Sequence, residues 1–251
     1  MNRLENKIAL VTGGRQGIGR GIVEAFVKEG ASVITCGRGP RPDDLLESVA
    51  WQTCDVSSRA SVEALRDRVV ADFGRLSILV NNAGVQIEKS ILDTTDTDWD
   101  LLMGVNAKGI FLTCRALIPI MDRGGSIINI GSISGIVSDP GLAIYNASKA
   151  FVHGLTRSIA VDHGPAIRCN AIAPGWIMTG MADAAFAVAN DPDRAKQDAL
   201  ARHPAGRFGR PEDIASLSVW LASDEATFAT SQIYTLDGGM TSASPLNPSL
   251  F

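Results

Sequence analysis

The chain has 251 residues, 45% of them hydrophobic and 20% charged, so it can bury the core of one large domain or of two small ones. A net charge of -4 excludes a broad basic field, and with it nucleic acid as the main partner, while leaving room for a local basic spot that takes one phosphate. Cys36, Cys54, Cys114 and Cys169 lie far apart with no C-x-x-C pair, which argues against a zinc site or a disulfide framework and for buried thiols. No apolar run reaches the roughly 18 residues of a membrane span, and MNRLENKIALVTGG lacks the hydrophobic stretch of a signal peptide. A cytoplasmic protein with no membrane partner is expected.

Along the chain, short β-branched runs alternate with stretches of helical period. KIALVT (7–12) precedes a helix near 18–29, and SVITC (32–36) and VAWQTC (49–54) precede one near 58–72. LSILVN (76–81), a helix near 104–121, SIINIG (126–131) and a helix near 145–162 follow. AIRCNAI (166–172), a helix near 211–222 and QIYTLD (232–237) complete the series. This alternation predicts a single α/β domain with a doubly wound parallel sheet, and the nearly continuous apolar strands predict helices on both faces. The interval 178–210, broken by Asn-Asp-Pro at 190–192, reads as a small helical lid beyond a strand end. The tail TSASPLNPSLF has two prolines and no period; it is either loose or packed on another subunit.

TGGRQGIG (12–19) joins the first strand to the first helix. Gly13, Gly17 and Gly19 let the backbone approach a pyrophosphate at the positive end of a helix dipole, although the spacing is not G-x-G-x-x-G. At the end of the second strand, TCGRGPR puts Gly37 where a carboxylate would meet a ribose 2′-hydroxyl, with Arg38 next to it. Arg38 is either a fork for a 2′-phosphate, aided by Arg15 and Arg41, or a solvated loop arginine; NADP(H) is favoured and NAD(H) is the alternative. In CDV (54–56), Asp55 either accepts from an adenine amino group or caps the helix beginning near Ser58.

YNASK places Tyr145 and Lys149 four residues apart, on one helical face. A phenol with an ordinary pKa of about 10 must shift by roughly three units to act as a base near neutrality, and a nearby ammonium works in that direction. Ser132, just past SIINIG, falls at the carboxyl edge of the sheet, where its hydroxyl can donate to a carbonyl oxygen.

These motifs together resemble a classical short-chain dehydrogenase/reductase over nearly the whole chain. TGGRQGIG matches that family's T-G-x-x-x-G-x-G turn, NNAG (81–84) the segment after its fourth strand, and Asn106 its helix asparagine. Ser132 with YNASK matches its active site, PGWIMT (174–179) its nicotinamide-side loop, and GRFGRPEDIA (206–215) and DGG (237–239) its carboxyl-terminal part. The resemblance implies a Rossmann-type sheet of about seven strands. It also implies an oxidoreductase that interconverts a small secondary alcohol and a ketone by hydride transfer, without a metal.

In that family pattern Tyr145 is the general acid/base, Ser132 orients the substrate oxygen, and Lys149 holds the nicotinamide ribose and lowers the tyrosine pKa. Asn106 would hold a water linking Lys149 to solvent. Ile18, beside Arg15 and Gln16, belongs to the glycine turn, and Val56 follows Asp55 at the adenine. Asn82, Ala83 and Gly84 line the cofactor, and Pro174, Gly175, the backbone of Ile177 and Thr179 meet its carboxamide side. The family's tetramer is built on the helices near 104–121 and 145–162 and on the last helix and strand, which implies a homotetramer.

His153, His163 and His203 have spacings that fit no metal pair, and His153 reads as packing two turns beyond Tyr145. Trp176 is a candidate for substrate contact or for lid packing. The competing reading is a catalytically silent dinucleotide sensor of the same fold. The complete set Asn106, Ser132, Tyr145 and Lys149 argues against it, and the length argues against a sugar-nucleotide epimerase of the extended type.

Overall fold

The apolar runs form seven strands, β1 (Ile8–Thr12), β2 (Ser32–Gly37), β3 (Ala50–Thr53), β4 (Leu76–Asn81), β5 (Met121–Ile130), β6 (Ile167–Pro174) and β7 (Ile233–Leu236). The computed structural model describes residues 2–243, so the tail from residue 244 onward lies outside the described residues. The strands lie side by side in the order β3-β2-β1-β4-β5-β6-β7, every neighbouring pair parallel. The chain builds outward from β1 to β3, then restarts at β4 on the other side of β1. That reversal opens a crevice at the carboxyl ends of β1 and β4.

Helices cover both faces. On one, α1 (Gly17–Lys28) and α8 (Pro211–Ala222) bury Ile22, Phe26, Ile214 and Val219 against Ala9 and Val11. On the other, α2 (Arg59–Phe73), α4 (Gly109–Leu117) and α5 (Ala143–His163) bury Leu65, Leu112 and Val152 against Leu10, Leu79 and Ile127. The lid interval holds α6 (Gly180–Ala187) and α7 (Pro192–Ala201), and the Asp191 carboxylate accepts from the Arg194 amide to start the second of these at the predicted break.

Three features depart from the sequence reading. α3 (Asp96–Met103) is an additional helix, set by a capping box in which Thr95 and Asp98 bond reciprocally. The helix expected near 104–121 is a π-helical turn (Gly104–Lys108), then α4, then a short 3-10 turn (Ile118–Ile120). β5 begins at Met121, well before SIINIG, because Met121 pairs with Leu76 and a register shift absorbs the two glycines that follow. The continuous helical run Asp96–Ile120 also has the length and mean hydropathy (1.4) of a membrane span, unlike any run picked out above; 56% of its apolar window is buried inside the protein.

A chain of buried polar side chains runs beneath the crevice and fixes how α4 and α5 sit on the sheet. Thr113 of α4 donates to Asn81 Oδ1 (2.6 Å), Asn81 Nδ2 donates to Asn129 Oδ1 (2.8 Å), and Asn129 Nδ2 donates to Thr156 Oγ1 of α5 (2.9 Å). Buried amides are stable only when satisfied, so each member holds the next in place. Asn129→Leu leaves the Asn81 amide with only the Cys114 sulfur as acceptor and the Thr156 hydroxyl without its donor, and is expected to cost about 1–3 kcal/mol in denaturant unfolding; an unchanged midpoint would show that this series of bonds does not seat α5.

Candidate active site

The crevice at the carboxyl edge has a volume of about 560 Å³ and is lined at one end by the glycine turn and at the other by Ser132 and Tyr145. Gly13 has φ +73°, and a Cβ there would lie 3.0 Å from the Ala83 Cα. A Cβ on Gly19 would collide with the Gly13 carbonyl oxygen. Only glycine keeps this cradle open to a pyrophosphate. Gln16 occupies the N-cap of α1 with no side-chain cap bond, and Gly17 and Ile18 open its first turn. The first amides of α1 are therefore available to an anion.

Two threonines that the sequence reading did not single out hold the turn. The Thr12 hydroxyl accepts from the amides of Asn82 and Ala83 (3.0 Å each), and the Thr35 hydroxyl accepts from the Gly14 amide (3.1 Å). Asn82 answers with its own amide, which donates to the Thr12 carbonyl (2.9 Å). The signal was present in the leading Thr of TGGRQGIG, but its partners become visible only once β4 lies beside β1.

Beyond the glycine turn, toward the ends of β2 and β3, Arg15 and exposed Arg38 line the crevice beside Asp55 and Val56. The missing carboxylate at Gly37 has a steric reason: a Cβ there would lie 2.9 Å from Cη2 of Trp51, whose indole covers the position from β3. Arg41 does not join this group. Its guanidinium donates to the carbonyls of Val49 (2.6 Å) and Leu46 (2.8 Å), closing its own loop. Asp55 does not cap α2 either, since Ser58 does so. The Asp55 carboxylate accepts from the hydroxyl and amide of Ser57, which, with Arg38 nearby and against the effect of burial, hold it below the usual carboxylate range.

Ser132, Tyr145 and Lys149 meet at the other end, all buried, with 9%, 8% and 6% exposure. The Lys149 Nζ donates to the Ile130 carbonyl (3.0 Å) and lies 5.6 Å from the centre of the Tyr145 ring. The expected depression of the tyrosine pKa is not produced by the protein's own groups. Burial pushes the Tyr145 phenol up to about 12, against a smaller downward pull from the Ser132 hydroxyl, and burial brings the Lys149 ammonium down to about 8. Burial is the largest cause at both sites, and it drives each group toward its neutral form.

Asn106 sits in the π-helical turn with both ends of its amide engaged. Its Oδ1 accepts from the Val85 amide (2.8 Å), and its Nδ2 donates to the Val85 carbonyl (2.8 Å) and to Ser148 Oγ (3.2 Å). It ties the segment after β4 to α5, and a Cβ on Gly84 would fall 3.4 Å from its Oδ1. Ser148, not anticipated from the sequence, completes the link by donating to the Tyr145 carbonyl (2.7 Å).

On the remaining wall, Pro174 ends β6, and Gly175, Ile177 and Thr179 beyond it line the crevice. Thr179 starts α6 without a side-chain cap bond, and its methyl lies 3.3 Å from the Cβ position of Gly17, so lid and glycine turn nearly touch. Trp176 lines the crevice and stacks on Phe186 of the lid (centroids 4.6 Å apart), so the lid packing expected of it is present. His203 packs edge-on against Phe208 behind the lid, and His163 closes α5, away from the crevice lining.

Known proteins share this arrangement. A family model described as enoyl-(acyl carrier protein) reductase matches residues 13–241. The chain is 37% identical to a 3-oxoacyl-(acyl-carrier-protein) reductase of Thermotoga maritima over 95% of this chain and 99% of that one. It is 38% identical to an NADP-dependent (R)-specific alcohol dehydrogenase of Lentilactobacillus kefiri, over 96% of this chain and 98% of that one. The solved structure of Thermoplasma acidophilum aldohexose dehydrogenase in ligand-free form superposes with a TM-score of 0.91 at 34% identity, covering 98% of each chain. The fold, the crevice and these relatives agree: this chain belongs to the short-chain dehydrogenase/reductase family of NAD(P)(H)-using oxidoreductases.

Proposed function

We propose that the chain interconverts a secondary alcohol and a ketone, with NADP(H) favoured over NAD(H) and Tyr145 as general acid/base. The observation that carries this reading is the meeting of Ser132, Tyr145 and Lys149 in one crevice with a backbone cradle open to a pyrophosphate. When bound, the cofactor supplies the hydride for reduction and, oxidised, a positive ring for the reverse direction. Tyr145, its phenol held near 12, is fully protonated at neutral pH and gives its proton to the substrate oxygen that Ser132 also contacts. In the oxidative direction the phenol must lose that proton, a change of roughly five units or about 7 kcal/mol, toward which the Lys149 ammonium contributes.

Lys149 is assigned to the nicotinamide ribose as well. Asn106 acts as a brace through its side-chain amide, and the water that links Lys149 to solvent is assigned to it as well. Preference for the 2′-phosphate is supported by Arg38 and Arg15 at the adenosine end and by Trp51, which leaves no room for a carboxylate at 37. Among the described residues, the cations lining the crevice are Arg15, Arg38 and Lys149, and each is assigned to the cofactor. The substrate wall carries Asp139, Val85, Leu142 and Met181, which supports an uncharged substrate with an apolar body. A homotetramer is supported by the exposed Phe111, Phe151 and Val161 on α4 and α5, and a cytoplasmic location by four free, buried thiols.

Tyr145→Phe is expected to lower kcat for carbonyl reduction by about 100- to 10,000-fold with the NADPH dissociation constant unchanged. The assay pairs neutral keto esters with the corresponding keto acids, and the esters are expected to react faster. Full activity in the variant would remove Tyr145 from the mechanism, and preference for the acids would contradict the uncharged substrate. Arg38→Ala is expected to weaken NADPH binding by about 10- to 100-fold while leaving NADH binding nearly unchanged. Equal losses for both cofactors would show that Arg38 does not read the 2′-phosphate.

A further inference from the structure

His153 lies on α5 one turn beyond Lys149 and two beyond Tyr145, in the series i, i+4, i+8 that shares one helix face. It is 4% exposed, and its Nε2 is buried without a hydrogen-bond partner. A buried polar atom left alone is uncommon enough to need a reason. The ring presses on the backbone that carries Ser132. A Cβ at Gly131 would lie 2.5 Å from its Nε2, and one at Gly135 would lie 2.6 Å from its Cε1 and 2.8 Å from its Nδ1.

Both glycines are needed because the imidazole occupies the space their side chains would take, and they bracket the Ser132 loop. That loop's own bonds are local or run to the sheet: Ser134 N donates to Ser132 Oγ (3.1 Å), Gly135 N to Ser132 O (3.0 Å) and Gly131 N to Ile172 O (2.7 Å). The loop meets α5, where Tyr145 sits, through the Ser132 hydroxyl, through the close approach of Gly135 to the Lys149 backbone, and through the His153 ring, which touches both bracketing glycines. Burial, then the charges of Lys149 and Arg157, hold the His153 pKa down to about 4 against the pull of the Gly135 backbone, so the wedge adds no charge beside the ammonium.

We propose that His153 is a positioning residue: its ring, wedged between α5 and the glycines at 131 and 135, sets the Ser132 hydroxyl against Tyr145. The assignment rests on the reaction proposed above and acts through Ser132, with no contact to substrate. Of the charged and titratable groups around Tyr145, Lys149 on its own helix lies 5.6 Å from the ring centre and Asp139 lines the same crevice, while the Ser132 hydroxyl bonds to the phenol itself. The Ser132 hydroxyl is the one that lowers the phenol's pKa, so displacing it moves ionisation upward.

The test compares wild type, His153→Ala, Gly131→Ala and the double variant by kcat, by NADPH dissociation constant and by the pH profile of alcohol oxidation. Each single variant is expected to lose about 10- to 100-fold in kcat and to shift the oxidation profile to higher pH, with NADPH affinity within about twofold of wild type. The double variant is expected to exceed either single by about threefold or more, because the new methyl at 131 refills part of the vacated space. Wild-type kcat and pH profile in His153→Ala, or losses that simply multiply in the double variant, would overturn the proposal. The same four proteins are compared by denaturant unfolding, which needs no turnover. Additive changes in midpoint would overturn the wedge, whereas non-additive midpoints with full activity in Tyr145→Phe would overturn the reaction instead.

Discussion

Keeping a phenol and an ammonium dry, side by side on one helix, is the constraint to which the rest of the site answers. Tyr145 and Lys149 are both nearly inaccessible, and their burial moves the two pKa values apart from their ordinary order of closeness, to about 12 and about 8. Each group is thereby driven toward its neutral form. In the reaction proposed above, such a pair donates a proton at rest and serves as a base only when further positive charge enters the crevice. Ser132, from the opposite side, favours the ionised phenol modestly and is the one neighbouring hydroxyl that does so.

Such a pair is useful only if it is held still, and the structure does this with polar bonds beneath and beside it. The buried Thr113, Asn81, Asn129 and Thr156 series sets the seating of α5 on the sheet, and Asn106 and Ser148 tie the helix to the segment after β4. The Lys149 ammonium itself reaches back to the Ile130 carbonyl. At the other end of the crevice the same economy of contacts appears, with one threonine hydroxyl accepting two amides so that the glycine turn and the end of β4 form one surface. The glycine turn and α5 are thus tied, through Asn82 and Ala83 on one side and Asn81 and Asn129 on the other, to the adjoining strands β4 and β5.

Much of this was legible in the sequence where the signal is periodic. SILV and SIINI read as buried strands because nearly every position is apolar, and Tyr145 with Lys149 reads as one face because four residues span about one turn. The α3 helix was hidden because DTDWDLLM spans barely two turns, polar in its first half and apolar in its second, with its start marked only by the Thr95 and Asp98 capping box. The early start of β5 was hidden by Gly124 and Gly125. Trp51 over Gly37 required the pairing of β2 with β3, and the engagement of Arg41 by its own loop required loop geometry that no spacing encodes. Desolvation of Tyr145 belongs to the same class, since it depends on what the whole fold packs around the side chain, and it reversed the sign of the shift expected from Lys149 alone.

The most direct measurement of that sign is tyrosine ionisation observed by NMR of ring-labelled protein. The chain has only two tyrosines, and Tyr145→Phe assigns them. Without cofactor, Tyr145 is expected to stay protonated above pH 10, where an ordinary solvated phenol is about half ionised. With saturating NADP⁺ its midpoint is expected to fall by about three units or more. A midpoint at or below about 10 in the protein alone, or one that NADP⁺ leaves in place, would contradict the account.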